Sequence, residues 1–519
     1  MTSSLTSGRL AAAAAHTQAA LAVHAPHLLA GFLHHLPHAA DTVGTRLRGA
    51  LAREGLSSGD ERDATRHAFH RYEYAHSGVT DPVDLLTGID APAFAAELRN
   101  AVINLAVALA RPGPTGGGDA DESAIAGERL AIAGHNLHPC GRTRLGWDTC
   151  DVLEHDLESG HTRIRFIAVR DDAHLGDDLG DQLRDLYPGL PDPGPGYRLQ
   201  PVHAWQHRLA TGRYRHLFTD GTLRELDGHL DAVPTAALRT LLLPPGADGA
   251  RRYLKVSLDI QITSTRRSIS VASTRNGPAI SALLRRLATD EPSLLLMAET
   301  AGAAVPAGSG RDLSAILRDG LTGRLHDGEE AIAGSALPYR LPDLVHRHGG
   351  DPAAWLHDYA RLLLPPLLRL AVHGVGLEAH LQNCLPTFVD GRPHRLALRD
   401  FAGLRLHLPR LAAAGHHVEL WPGSVVGTGD PDVMRAKLGY TAFQAHLGEI
   451  VLRLGTDERA AWRIVRDVVD ETYATLPGPD ARADHAAFTA PTVPHKALVR
   501  MRLTGAGDIY LPVPNPLHG

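Results

Sequence analysis

Along residues 254–270 apolar and polar positions alternate: Val256, Leu258, Ile260 and Ile262 against Lys255, Ser257, Asp259 and Gln261. A period of two predicts a β-strand with one face in the core and one polar face. The pattern ends in Thr263, Ser264, Thr265, Arg266 and Arg267. Hydroxyls and guanidiniums delivered together from a strand end suit a phosphate, because hydroxyls and backbone N–H groups donate to it and Arg offers a planar fork. The same alternation points Arg266 and Arg267 apart.

Elsewhere the period lengthens. Phe94, Leu98, Val102, Leu105 and Leu109 share one helical face, and residues 1–110 read as helical. His67, His70 and His76 lie there with no acidic or Cys partner nearby in sequence, which predicts an exposed helix face rather than a metal site. Pro112–Asp121 has the composition of a flexible linker. Strand-like segments follow at His161–Arg170, Pro201–Gln206 and the 254–270 stretch, separated by Pro/Gly turns at Pro188–Gly196 and Pro244–Ala250. Short irregular connections predict a mostly antiparallel sheet rather than repeated βαβ units. From about residue 310 the helical period returns. Trp355, Tyr359 and Leu363 share a face until Pro365-Pro366, which predicts a kink or break. Further helices are expected over Thr441–Leu454 and Arg459–Tyr473, the latter burying Trp462, Val465 and Val469. The order predicts an α+β protein: a helical domain over 1–125, a β-rich domain over 126–320 and a mainly helical one over 321–519.

Composition narrows the class. At 519 residues, two or three domains are expected. The 44% hydrophobic and 21% charged content fits a soluble globular chain. A net charge of −6 argues against general nucleic-acid binding while permitting a local basic pocket. No apolar run approaches a membrane span, and His16 and His24 interrupt the Ala-rich start, which does not read as a signal peptide. Cys140, Cys150 and Cys384 form no CxxC and no even framework, as expected in a reducing cytosol.

Two constellations carry chemistry. The loop Gly134–Gly146 crowds His135, His138, Arg142 and Arg144 between Gly and Pro, an anion site by its donors. Zinc on His135, His138, Cys140 and Cys150 matches no common module spacing. The second is Glu378-Ala-His380-Leu-Gln382-Asn383, followed by Arg399-Asp400-Phe401, with the hairpin signal Asp390-Gly391 between them. A two-residue turn with uniform register sets Gln382 opposite Arg399 and Leu381 opposite Asp400. Glu378, Asn383 and Asp400 then converge as hard oxygen ligands suited to Mg²⁺; a buried polar cluster capping helix and hairpin is the alternative.

Taken in order, Gly134-His135…His138-Pro139…Arg144-x-Gly146, Pro201-Val-His-x-Trp-Gln206, Thr263-Ser264-x-x-Arg267, Glu378-x-His380-x-Gln382-Asn383, Arg399-Asp400-Phe401 and Lys496–Arg502 resemble the aerobactin-synthetase family, the NRPS-independent siderophore synthetases. The resemblance departs at Arg142, where the family usually has Lys, and at Ala204, where it has Pro; the chain is also short for the family. It implies a hand-like architecture of helical thumb, β-rich fingers and helical palm, with ATP between fingers and palm. It also implies carboxylate adenylation followed by capture with an amine or alcohol, a homodimer and a cytoplasmic setting. On that pattern His138, Arg142, Arg144, Thr263, Ser264, Arg267 and Arg275 would hold the triphosphate, and Glu378, Asn383 and Asp400 the Mg²⁺. His380, Gln382, Lys496 and Arg502 would hold the carboxylate, typically citrate, with Arg267, His138 and His380 as the catalytic set. Two other readings compete. A kinase-like phosphotransferase would account for His380…Asn383 and Asp400, but no Gly-rich phosphate loop precedes them. A non-catalytic carboxylate-binding descendant would account for Arg142 and Ala204.

Overall fold

The computed structural model describes residues 8–56, 63–113, 118–263 and 265–519. Helices Gly8–His24, Pro26–Arg53 and Pro92–Leu109 pack through Leu21, Phe32, Leu47, Leu98 and Val102. Their core continues into Leu258 and Ile260 of the alternating 254–262 stretch. The α-helical expectation fails over residues 63–91. Ala64–His67 and Arg71–Tyr74 form a hairpin whose tip holds Phe69 and His70 at φ +54° and +56°. Its three histidines do not share a face. His67 Nδ1 meets Glu458 Oε2 at 3.1 Å, His70 Nε2 meets Tyr72 Oη at 2.6 Å, and His76 Nδ1 lies 3.4 Å from Asp41. Partners remote in sequence decide this segment.

The central sheet has eight strands, in the order Leu175–Gly176, Glu299–Ala304, Ser314–Asp319, Arg252–Val256, Thr240–Leu242, Leu223–Pro234, Thr162–Arg170, Tyr197–His203. Every neighbouring pair is antiparallel, as the short connections predict. The 254–270 stretch is not one strand. Ser257 breaks it: its Oγ accepts from Ile269 N (3.2 Å) and Ser314 N (3.3 Å). Arg252–Val256 stays in the central sheet, while Leu258–Ile262 turns away to pair with Thr265–Arg267. Val256, Leu258, Ile260 and Ile262 are buried as expected, but so are Lys255 and Ser257 on the face expected to be solvated.

Helix Pro352–Val372 runs through Pro365 and Pro366 without a break. An interior proline costs about 3 kcal/mol, whereas each buried leucine returns roughly 1.5–3 kcal/mol. This helix buries Leu362, Leu363, Leu364, Leu367, Leu368 and Leu370, which offsets both prolines. Trp355 stacks on Tyr359 (ring centroids 4.9 Å apart), and Phe388 completes the stack. The helix expected from Thr441 begins instead as a π-helix over Gly439–Leu447 and continues as Gly448–Leu454.

The hairpin between the two halves of the second constellation forms as predicted. Asp390 (φ +48°) and Gly391 (φ +76°) turn Cys384–Val389 back onto Arg392–Leu398. Its register is uniform only near the turn, at Val389–Arg392 and Phe388–Pro393; beyond it the pairs are Pro386–Leu396, Leu385–Ala397 and Cys384–Leu398. Thr387 absorbs the extra residue, its hydroxyl bonding both N (2.9 Å) and O (3.2 Å) of Arg395. Asn383, not Gln382, therefore meets Arg399: Arg399 N donates to Asn383 O at 3.0 Å.

Candidate functional site

The loop Gly134–Gly146 folds on itself because two glycines meet backbone to backbone. A Cβ on Gly134 would lie 2.6 Å from Gly141 O, and one on Gly141 2.5 Å from Ala133 O. Arg46, from helix Pro26–Arg53, donates to Ala133 O (2.6 Å) and His135 O (3.0 Å) and holds the loop against the helices. Nδ1 of His135 accepts from Leu137 N (3.1 Å) and Nδ1 of His138 from Cys140 N (3.0 Å). An imidazole accepting at Nδ1 carries its proton on Nε2. Burial, with Arg502, Arg267, Arg46 and Lys496 nearby, pushes His138 down to about 3. Burial likewise takes His135 well below its usual value, aided by His138 and His380. Both rings are neutral N–H donors at pH 7. The His135 ring centroid lies 6.3 Å from His138 and 6.5 Å from His380, so the loop faces the second constellation directly.

The Leu258–Arg267 hairpin separates its two arginines as the alternation predicts. Arg266 points to solvent and pairs with Asp259 at 2.5 Å. Arg267 turns inward, its Nη2 reaching Thr263 Oγ1 (3.3 Å) and Ile262 O (3.4 Å) while its buried Nε has no partner among the described residues. Burial, then Arg239, lowers its pKa to about 9. A guanidinium removed from water without a carboxylate is costly, and such a cation is built for an anion that arrives from outside. Arg239 braces it through the carbonyls of Arg267 (3.1 Å) and Ser268 (3.2 Å). Ser264 lies outside the described residues.

Other expected cations already have anions. Arg144 forks onto both oxygens of Asp156 (2.9 and 3.1 Å), and Arg142 pairs with Glu158 at 2.7 Å. Burial alone would raise Asp156, but these two arginines hold it below the usual carboxylate range. Arg275 is half-exposed and 3.9 Å from Asp177. Lys496 meets Asp508 Oδ1 at 2.7 Å, and Arg502 forks onto Glu97 of helix Pro92–Leu109. Gln382 contributes its carbonyl, accepting twice from Arg399 (3.0 and 2.8 Å).

Glu378, Asn383 and Asp400 each have one atom anchored. Lys437 Nζ holds Glu378 Oε1 at 3.1 Å, Asn383 Nδ2 donates to Glu378 O at 3.0 Å, and Lys255 Nζ holds Asp400 Oδ1 at 2.7 Å. Burial would raise both carboxyls; Lys437 and Lys255 respectively pull them below their usual values. Glu378 Oε2, Asn383 Oδ1 and Asp400 Oδ2 are left without a hydrogen bond among the described residues. Asp400 sits at φ +61°, a strained conformation for a non-glycine residue. Gly403 cradles Glu378, since a Cβ there would collide with Oε2. Glu378 and Asp400 are near enough to influence each other electrostatically, and with Asn383 they supply the hard-oxygen ligand type that a divalent cation such as Mg²⁺ takes. The zinc set does not gather: Cys140 is buried and Cys150 exposed. Among the described residues the His/Cys/Asp/Glu trio close enough to share an ion is His326, Glu329 and His394, where Arg395 already forks Glu329.

Sequence patterning misses Lys255, Lys437, Arg239, Arg46 and Glu97. A signal for the first two exists in the composition: of 52 Lys and Arg, three are lysine, at 255, 437 and 496. In the fold all three lie in this region.

Fold and site together define an α+β protein in which an inward-turned arginine and a neutral histidine stand near a pair of carboxylates. Residues 123–339 match the IucA / IucC family model, and residues 353–511 match a model described as ferric iron reductase FhuF-like transporter. The NRPS-independent siderophore synthetase-like protein ankE of Aspergillus thermomutatus is 28% identical over 430 residues, 76% of this chain and 68% of that protein. The D-ornithine–citrate ligase of Staphylococcus aureus is 23% identical over 471 residues, 77% of this chain and 71% of that one. ATP-bound aerobactin synthetase IucA of Klebsiella pneumoniae superposes with TM-score 0.75 at 18% identity, over 92% of this chain and 100% of that one. The chain is thus similar in sequence to NRPS-independent siderophore synthetases and in fold to aerobactin synthetases.

Proposed function

We propose that this protein is an ATP-dependent ligase of siderophore-type biosynthesis that adenylates a carboxylate of the citrate class and joins it to an amine or alcohol, releasing AMP and pyrophosphate. The carrying observation is the inward-turned Arg267, which has no carboxylate partner among the described residues and lies beside neutral His138. Relatives named as citrate ligases and an ATP-bound structural neighbour support the same reading.

A carboxylate cannot expel oxide and must first be activated; in adenylation its oxygen attacks the α-phosphate of ATP, the α–β phosphoanhydride bond breaks and pyrophosphate leaves. Arg267 then meets the charge that develops on the phosphoryl oxygens, and His138 donates from Nε2 without adding a fixed charge. Lys496, Arg502 and His380 orient the carboxylate substrate. Arg142 and Arg144 shape the loop through Asp156 and Glu158. Glu378, Asn383 and Asp400 would hold Mg²⁺, which when bound supplies charge to offset that of the phosphates. The three-part division of the chain, a homodimer and a cytoplasmic setting belong to the same reading. No helix among the described residues is long and apolar enough to cross a membrane.

Carboxylate-dependent exchange of labelled pyrophosphate into ATP tests the proposal, with citrate as the first substrate. Exchange with AMP release is the expected result. Production of ADP instead would favour the phosphotransferase reading. ATP left intact with every carboxylate tried would favour a non-catalytic descendant.

A further inference from the structure

The chain uses arginine for nearly all its basic positions, yet lysine stands at both carboxylates of the metal triad. Arginine can fork a carboxylate in this fold, although Arg399 meets one oxygen of Glu128 and Arg251 one oxygen each of Asp119 and Glu122. Arg144 takes both oxygens of Asp156, Arg410 both of Asp484 (2.8 and 2.9 Å), Arg252 both of Asp248 (3.0 and 2.6 Å), and Arg502 both of Glu97. A guanidinium matches a carboxylate fork to fork, whereas an ammonium is a point donor. Lys437 touches Glu378 at Oε1, and Lys255 touches Asp400 at Oδ1. Lys255 also reaches Glu299 Oε1 at 3.4 Å, so it sits between two carboxylates without covering either. Lys255 and Lys437 are 2% and 7% exposed at the side chain, which fixes their direction.

We infer that Lys437 and Lys255 are positioning residues that pin one oxygen of Glu378 and of Asp400 and thereby reserve the other oxygen for the divalent cation. Arginine at either position would keep the charge and close the site by forking across both oxygens. This rests on the proposed function only in assigning the metal to Glu378, Asn383 and Asp400.

Lys437→Arg and Lys437→Gln separate geometry from charge. Glutamine keeps a one-point donor and loses the charge; arginine keeps the charge and gains the fork. The expected order of Mn²⁺ affinity, read by electron paramagnetic resonance in the presence of ATP, is wild type, then glutamine, then arginine. Arginine should lose roughly ten-fold or more, the scale found for groups that orient metal ligands. Arginine binding Mn²⁺ as well as wild type, or better than glutamine, would overturn the inference. Lys255→Gln is the second variant, read the same way, and circular dichroism establishes that each is folded. Loss of pyrophosphate exchange by wild type with Mn²⁺ binding intact would instead count against the proposed reaction and leave this inference standing.

Discussion

Replacing Arg267 by methionine should separate stability from activity. In the folded protein the guanidinium is inward-facing, bonded among the described residues to Thr263 Oγ1 and Ile262 O, and burial lowers its pKa to about 9. A base whose folded pKa lies below its unfolded one opposes folding while it is charged. The guanidinium is charged at neutral pH, so the penalty is present there. Each unit corresponds to about 1.4 kcal/mol, so even after discounting for partial solvent access the cost at neutral pH is on the order of a few kcal/mol. Methionine keeps most of the side-chain volume and removes the charge, so Tm at pH 7 should equal or exceed that of wild type. Catalysis should move the other way. A charge-assisted contact to phosphate contributes about 1.5–3 kcal/mol, so pyrophosphate exchange should fall by roughly one to two decades. Thermal denaturation with and without ATP, run beside the exchange assay, checks both. Wild type should gain Tm on adding ATP and the variant should gain less. A variant that melts several degrees lower yet exchanges at the wild-type rate would refute the reasoning.

Glu97→Gln should replace the fork between Glu97 and Arg502 by a weaker neutral contact; KM for the carboxylate should rise about ten-fold, near the 1.5 kcal/mol end of a charged hydrogen bond, with KM for ATP nearly unchanged in initial-rate kinetics. Gly403→Ala drives a methyl group into Glu378, so the Mg²⁺ concentration for half-maximal exchange should rise by about ten-fold. His138, lowered to about 3 by burial and by Arg502, Arg267, Arg46 and Lys496, stays neutral while the unfolded chain protonates near 6.5. Stability should therefore fall as pH drops from 6.5 towards 3. His138→Gln should flatten that part of the Tm profile, and a profile as steep as wild type would contradict the burial argument.

Local pattern carries much of this fold. The alternation at 258–262, the Asp390-Gly391 turn and the stripes on 355–363 and 462–469 all correspond to observed elements. What escapes is set by distant partners. The break at Ser257 depends on amides 12 and 57 residues away, and the one-residue slip that puts Asn383 on Arg399 depends on Thr387 spanning Arg395. Within the site, the separation of Arg266 from Arg267 follows from strand alternation alone. The loop Gly134–Gly146 shows the limit of counting cations over a short window. Arg142 and Arg144 look available there, but the acids that take them, Asp156 and Glu158, come just after the window closes. Composition would have helped more than periodicity, because three lysines among so many arginines mark positions where a fork does not serve.

That scarcity makes the cleft chemically addressable. An amine-directed reagent has three side chains to find, all around the site, and their accessibility differs: Lys496 is 18% exposed, Lys437 7% and Lys255 2%. Reductive methylation with ¹³C-formaldehyde should mark them in that order. The resulting dimethylamine signals would report from inside the cleft without a single substitution, so nucleotide, metal and carboxylate arrival could each be followed on the native chain.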